Sequence, residues 1–506
     1  MIILPNIINK LEIHCHLYSE CSNAFNATNI SQILHDIMKI ITILLSLFLF
    51  LSTISAKKPI DNFINNPLMQ NANISLCVKD LSNSTIIYNH RGNNVATPAS
   101  TMKVITTATA LEMLGPDFCF KTKLEIDGEI TPDSILMGNL YIRGGGDPTL
   151  GSAYLGDTAF LVKWVEAVKK AGIKSIKGSV IADASLYDEQ GINSHWIWED
   201  MGNYYAAGSY GISYLDNTYR LVLRTSKVGT TPEIIRTIPF MPSLLFDNQI
   251  KSAAINFDSA YFHGAPHDNF RSITGKLPAN KTEFIIKGDI PNPSLLLAQH
   301  FNDKLKAAGV QTSLSIITKF DSKLPRKLIS THLSPALKEI ITVANVRSNN
   351  QYAEQLFRYL SLTMDTVANS KTAAQVIKLF WKSKGLDVSQ LFMYDGSGLS
   401  PEDAVSSRFF VDVLSYMKTK SLNSEVFIHS LPIAGETGTV SSFLKNSALE
   451  GKVFVKSGTI ARVKCYAGYL NTKNKNYAFA LMVNYANGSS KAVVKKMEEF
   501  LLEINH

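Results

Sequence analysis

The sequence predicts an α+β chain whose two ends build one unit around a large β-rich insertion. Three observations carry this. Strand-like runs and a helix open the ordered part of the chain, and strand-like runs and a helix also close it. Between them, Ser100 and Ser348 are separated by 248 residues, too many for a loop inside a compact domain. Taken in order, Ile74 to Asp80 and Thr85 to Tyr88 read as short strands joined by the polar Leu81 to Ser84. An apolar helical run follows from Met102 to Leu114, with Pro98 ahead of it and Gly115-Pro116 to stop it. From Lys121 to Lys319 the texture is short β-rich runs with frequent glycine and proline, such as Leu140 to Ile142 and Gly178 to Ala182, with one clear helix at Thr158 to Ala171. Helical runs return after Ser334, including Asn350 to Leu362 and Ser370 to Lys384. Lys452 to Ser457, Tyr466 to Leu470 and Tyr477 to Val483 then read as strands, separated by Gly458 and by Asn471 to Asn476. Ser490 to Ile504 alternates apolar and charged residues at helical spacing, which suits a packed core helix better than a membrane anchor because its polar face carries acids as well as lysines.

With 506 residues, 45% apolar and 18% charged, the chain has ordinary globular composition and room for two or three domains. The run from Ile40 to Leu51, behind Met38-Lys39 and ahead of Ala56 and Lys57-Lys58, is too short for a membrane span and fits a secretory signal. Cleavage is expected after Ala56, an uncleaved anchor being the alternative. The expected organisation is an extension of unassigned role at 1–37, a signal at 38–56, a first domain part at 57–120, an inserted β-rich region at 121–319 and a second part at 320–506. Cys77, Cys119 and Cys465 remain in the mature chain and read as small buried thiols, with at most one disulfide. The eleven histidines show no metal-ligand spacing, so no metal or cofactor is expected. The net charge of +8 is spread along the chain, which suits work near anionic polymers and is no evidence for nucleic acid binding.

Chemistry concentrates in three short stretches: Ser100-Thr101-Met102-Lys103, Ser348-Asn349-Asn350 and Lys456-Ser457-Gly458. They match the S-x-x-K, S-x-N and K-[ST]-G set of the penicillin-recognising acyl-serine enzymes. A bare S-x-x-K arises about once or twice by chance in a chain this long, and Ser415 to Lys418 and Ser442 to Lys445 also fit, while Ser421-Leu422-Asn423 imitates S-x-N. Ser100 differs by its setting at the start of a helix, where residues three apart share a face and place Lys103 beside the serine oxygen. Partial positive charge and free N–H groups gather at the same helix end. A serine with no histidine to take its proton needs another base, and Lys103 can be that base only if burial and a second cation, Lys456, bring its pKa down from about 10.4. Ser348 and Asn350 have a blander reading as caps of the helix that follows them, and Asp395-Gly396-Ser397-Gly398 reads as a structural turn.

Further stretches, Gly144 to Leu150 (GGGDPTL), Trp196 to Ala207 (WIWEDMGNYYAA), Tyr394 to Pro401 (YDGSGLSP), Leu431 to Gly438 (LPIAGETG) and Val455 to Thr459 (VKSGT), extend the match. With them the chain resembles the D-alanyl-D-alanine carboxypeptidase/endopeptidase family, the class C type of low-molecular-mass penicillin-binding protein, over nearly all of the mature chain. Asn349 stands where that family often has aspartate, and Ser457 where threonine is usual. The resemblance implies a penicillin-binding/β-lactamase-like domain, an antiparallel sheet with flanking helices plus a helical subdomain, interrupted by the insertion. It implies a serine D,D-peptidase that cuts peptidoglycan peptides through an acyl-enzyme and is inhibited by β-lactam antibiotics, exported to the periplasm, with peripheral association to membrane or wall left open. In that scheme Ser100 is the nucleophile, Lys103 the base, Ser348 relays a proton to the leaving amine and Asn350 holds the substrate's amide. Lys456, Ser457 and Thr459 receive the terminal carboxylate, the N–H groups of Ser100 and Thr459 form the oxyanion hole, and Gly458 keeps the strand edge bare. Asp200 and Tyr205, in the insertion, hold the side chain of the wall peptide's diamino acid; the alternative is that Asp200 caps a local turn. A β-lactamase is disfavoured by the long insertion, and a non-catalytic penicillin-binding sensor by the presence of both nucleophile and base.

Overall fold

The computed structural model describes residues 32, 34–43, 59–312, 316–317, 325–472 and 475–505. The chain divides into two compact units, 1–61 and 62–506. In the first, residues 34–43 are helical and exposed; the rest of the expected signal, 44–56, lies outside the described residues, as do Cys15 and Cys21. Among the described residues no helix is long and apolar enough to cross a membrane.

The second unit is built around an antiparallel sheet of five strands. Strands β1 (Asn73–Asp80) and β2 (Ile86–His90) come from the front of the chain, and helix α1 (Met102–Leu114) follows. The insertion contributes β3 (Lys121–Ile126), β4 (Leu140–Arg143), α2 (Phe160–Lys170), β5 (Val180–Asp183), β6 (Thr218–Arg224), β7 (Glu233–Ile238), β8 (Phe284–Asp289), α3 (Pro293–Ala307) and β9 (Lys327–Leu333). Helices α4 (Leu337–Val346), α5 (Asn350–Leu360), α6 (Ser370–Ser383), α7 (Ser407–Thr419) and α8 (Ser424–Ser430) come next. The chain closes with β10 (Val453–Ile460), β11 (Val463–Asn471), β12 (Asn476–Asn484) and α9 (Ser490–Glu503).

The strand order is β2-β1-β12-β11-β10, so the first strand pairs with the last, with Asn73 opposite Asn484 and Asp80 opposite Tyr477. This interleaving makes the two ends of the chain one folding unit. β12 is buried at every position but its first, which explains its near-continuous apolar run: a central strand covered on both faces has no solvent side to alternate with. Tyr469 on β11 donates to the Leu414 carbonyl of α7 at 2.8 Å, binding a covering helix to the sheet. In α9 the buried residues are Val493, Met497, Phe500 and Leu501, so this helix is a packed element. Gly458 lies within β10 and does not end it, because its neighbours Ser457 and Thr459 keep their pairing with Tyr466 and Lys464.

Helix α1 is buried from Met102 to Leu111, and its buried Thr106 and Thr109 are satisfied by donating to the Gly396 and Ile105 carbonyls at 2.7 Å. The insertion holds a mixed five-stranded sheet in which β3 lies between β4 and β9. β9 begins past residue 319 and pairs antiparallel with β3, Leu333 opposite Lys121. The insertion has a second long helix where the sequence reading has one: α3 starts at Pro293, and Asn292 caps it by accepting from the Leu295 N–H at 2.9 Å. An Asn-Pro pair between strand-like runs imitates a turn, yet proline at the first helical position is a helix start.

The insertion is seated on α5. Tyr187 donates to the Gln355 carbonyl at 2.8 Å, Ser152 and Tyr352 share a hydrogen bond at 2.7 Å, and Gln355 donates to the Tyr210 carbonyl at 2.7 Å. Covered by α1 on one side and the insertion on the other, α5 is buried from Gln351 through Arg358 despite its polar composition. Cys77 and Cys465 are buried free thiols, each pushed up to about 12 chiefly by burial, and Cys119 is free and partly buried.

Candidate active site

Ser100 sits in a single 3₁₀ turn, Ala99–Thr101, that runs directly into α1. The turn is set by Ala99 at φ 46° and by tight packing against β10. A Cβ on Gly458 would lie 2.4 Å from the Pro98 carbonyl oxygen and 3.2 Å from the Ser100 nitrogen. Glycine is therefore required here by the serine turn itself, a closer constraint than the bare edge the sequence reading assigns to it.

One turn further on, Lys103 is fully buried and points back at the serine: its Nζ lies 3.0 Å from Ser100 Oγ, 2.6 Å from Asn350 Oδ1 and 2.7 Å from the Ser397 carbonyl oxygen. Burial brings its pKa down to about 7, against the opposing pull of Asp395, Glu354 and Asp403. Of the two expected causes, burial is the one that lowers it; the charged neighbours acting on it are carboxylates that favour the ammonium rather than a second cation. Lys456 on β10 is also fully buried and is itself pushed well down, by burial first and by Lys103 second. Its Nζ donates to Ser348 Oγ at 2.9 Å and to the Ser457 carbonyl at 2.8 Å.

Ser348 lies at φ 54° just before α5. The cap of that helix is Asn349, whose side chain accepts from the Tyr352 N–H at 3.0 Å. The capping alternative for Ser348 and Asn350 is thereby answered: the residue between them does that work, and its two neighbours face the site. Asn350 accepts from Lys103 and donates to the Tyr205 carbonyl at 2.7 Å, so it ties the lysine to the insertion. Ser457 Oγ and Thr439 Oγ1 share a hydrogen bond at 2.8 Å, and Thr459 Oγ1 accepts from Lys464 Nζ at 3.0 Å. Ser100, Ser348, Ser457 and Thr459 line one cavity of about 870 Å³. In the insertion, Tyr205 donates to Asp200 Oδ1 at 3.1 Å, and burial raises the Asp200 carboxyl.

The imitations of the motifs fall away. Ser415 is buried within α7, and Lys418 pairs with Glu425. Ser421 and Asn423 both bind Glu112. Ser442 lines the cavity, but no hydrogen bond joins it to Lys445.

Two groups beside the lysine were not legible as site residues. Glu354, four residues and one helical turn after Asn350, accepts from the N–H groups of Gly396 at 2.9 Å and Ser397 at 2.7 Å, and burial pushes its carboxyl up to about 8. Asp403 accepts from the Tyr394 N–H at 2.7 Å, and burial holds it well above the usual range. The signal for Glu354 was a lone acid on the face of α5 that carries Asn350. Asp395 is structural in the sense expected, accepting from the Leu399 and Ser400 N–H groups at 3.0 and 2.8 Å and from Trp196 Nε1 at 2.8 Å. Together these acids fix the turn whose Ser397 carbonyl holds Lys103. Because burial keeps Glu354 largely protonated below about pH 8, Glu354→Gln is expected to leave the acidic limb of the acylation rate near pH 7 and to act through the turn it holds, read from a stopped-flow pH profile. A limb displaced to lower pH would show instead that Glu354 is charged there and acts on the lysine electrostatically.

A family model described as the D-Ala-D-Ala carboxypeptidase 3 (S13) family matches residues 56–504. The D-alanyl-D-alanine carboxypeptidase DacB of Haemophilus influenzae is 26% identical over 447 residues, covering 86% of this chain and 90% of that protein. A D-alanyl-D-alanine carboxypeptidase of Actinomadura sp. (strain R39) is 26% identical over 461 residues, covering 87% and 82%. Among solved structures, penicillin binding protein 4 (dacB) of Haemophilus influenzae superposes with a TM-score of 0.75 at 23% identity, covering 88% of this chain and 99% of that one.

Proposed function

The chain belongs to the D-Ala-D-Ala carboxypeptidase 3 (S13) family and is a serine-type D,D-peptidase acting on peptidoglycan peptides; from that premise we propose how its residues divide the work. The observation that carries the proposal is the contact of a buried lysine of pKa about 7 with Ser100 Oγ at 3.0 Å. Ser100 Oγ attacks the carbonyl carbon of the penultimate D-alanine while neutral Lys103 takes its proton. The oxyanion forms between the N–H groups of Ser100 and Thr459, each donor worth about 3 kcal/mol in the transition state. As the C–N bond breaks, Ser348, oriented by Lys456, relays to the departing amine the proton that Lys103 took, which returns the lysine to its neutral form, and water then hydrolyses the acyl ester. The terminal carboxylate lies against Lys456, Ser457 and Thr459, and an anionic group there favours the charged form of Lys456. Asn350 holds Lys103 directly, so its part in binding the substrate's amide is secondary to positioning the base. A β-lactam acylates the same serine and is released slowly.

Asp200 and Tyr205 take the side chain of the diamino acid. Asn350 holds the Tyr205 carbonyl and Tyr205 holds Asp200, which aligns the pair with the catalytic lysine. Residues 57–120 and 334–506 form the penicillin-binding domain and the region 121–333 is its insertion, its far boundary lying past β9 rather than at 319 because β9 pairs with β3, and export places the enzyme in the periplasm, where its substrate is. Incubation with purified muropeptides, read by mass, is expected to release D-alanine from pentapeptides and to split cross-linked dimers; neither product would end this reading. Asp200→Asn is expected to lose about tenfold more kcat/KM on peptides with a free side-chain amine than on penicillin G, which has none, a difference of about 1.4 kcal/mol. Equal losses return Asp200 to a structural role.

A further inference from the structure

A second cleft, of about 430 Å³, adjoins the reactive one and lies between the insertion and the start of α5. Ser348 lines both. The cleft is walled by Tyr154, Tyr204 and Tyr205, and three cations line it: Arg220 from β6, Lys287 from β8 and Arg347 from the residue before Ser348. Lys287 stands over the Tyr204 ring at 5.9 Å. Among the described residues, none of the three cations pairs with a carboxylate. The one acid in the lining, Asp216, is buried and accepts from the Ala153 N–H at 3.0 Å; burial raises its carboxyl and Lys287 partly opposes that, so one acid faces three cations. Like charges gathered in a cleft with aromatic walls repel one another and favour an anionic occupant with an alkyl or peptide stem.

The reaction sets what that occupant is, so the inference rests on the proposed division of roles. Ser348 faces the departing amine. In a terminal D-alanine the carbon on that amine carries a carboxylate, which goes to Ser457 and Thr459, and only a methyl besides. In a cross-link the methyl is replaced by the side chain of a diamino acid, which leads to the rest of a second peptide and its carboxylates. That peptide must leave the reactive centre past Ser348, and the volume beyond is within the range of ligand pockets. We propose that Arg220, Lys287 and Arg347 form a subsite for the carboxylates of the departing peptide, so that this cleft sets the enzyme's preference for cutting cross-links over trimming single peptides.

The test compares kcat/KM of the full chain on a cross-linked dimer, on the same dimer with the departing strand's carboxylates amidated, and on an uncross-linked pentapeptide. Arg347 is left unaltered because it abuts Ser348. For the unaltered enzyme, amidation is expected to lower the rate on the dimer by about fivefold, and Arg220→Gln with Lys287→Gln to lower the dimer-to-pentapeptide ratio by about the same factor and abolish the effect of amidation. Arg220→Lys with native Lys287 should keep most of the ratio. An unaltered enzyme indifferent to amidation, a ratio the double variant does not move, or equal losses on both substrates would overturn the subsite. Failure of the unaltered enzyme to cut either the dimer or the pentapeptide would overturn the underlying reading as well, and is told apart by those two arms together.

Discussion

Ser100→Ala is expected to abolish labelling by a reporter penicillin, while Ser415→Ala and Ser442→Ala remain labelled. The β-lactam carbonyl is captured as an ester, and Ser100 presents its hydroxyl 3.0 Å from a buried lysine whose pKa is brought down to about 7. Ser415 shares the motif but is held inside α7 with its lysine drawn to Glu425. The variant removes the bond-forming atom outright, so peptide turnover should fall by about a millionfold, the scale seen when a nucleophile is deleted from a unit that acts together. Denaturing gel fluorescence and peptide mapping check the result. A label that persists in Ser100→Ala would sink the assignment.

Lys103→Ala is expected to lose acylation by at least about ten-thousandfold while remaining folded, because the serine hydroxyl then has no base. The pH profile of the unaltered enzyme carries the same claim with a sign. The lysine's pKa is depressed to about 7 by burial, and the neutral form is the base. The acylation rate therefore rises through about pH 7 and levels above it, falling about tenfold per pH unit on the acid side. A lysine left near its ordinary value would show no plateau until far above pH 9. Near-native acylation by Lys103→Ala would require another base, and circular dichroism separates that outcome from unfolding.

Much of this site was legible because its chemistry is local. Ser100 and Lys103 are three apart on a helix whose start and stop are written in Pro98 and Gly115-Pro116, and the helix was found at the residues expected, Met102–Leu114. The strands of the closing segment were legible for the same reason, apart from Gly458, whose place inside β10 depends on the serine turn pressed against it. Motif order likewise indicated that Ser348 and Lys456 belong with Ser100. Helix α3 was missed because an Asn-Pro pair has two local meanings, and only its packing in the insertion chooses between them.

By itself, the sequence determined the family and pointed to Ser100 as the proposed nucleophile, to Lys103 as its proposed base and to an insertion between the motifs, since each rests on residue types at short or ordered spacings. Only the tertiary structure decided what sets the lysine's charge and which residue of Ser348-Asn349-Asn350 caps the helix. Glu354 comes to Lys103 from α5 and Asp395 and Asp403 from the turn ahead of α7, and Arg220, Lys287 and Arg347 come to their cleft from three other places in the chain. A pKa depends on burial and on every charge within a few ångströms, and those distances are fixed by how β1 meets β12 and how the insertion settles on α5. Spacing along the chain carries no record of them.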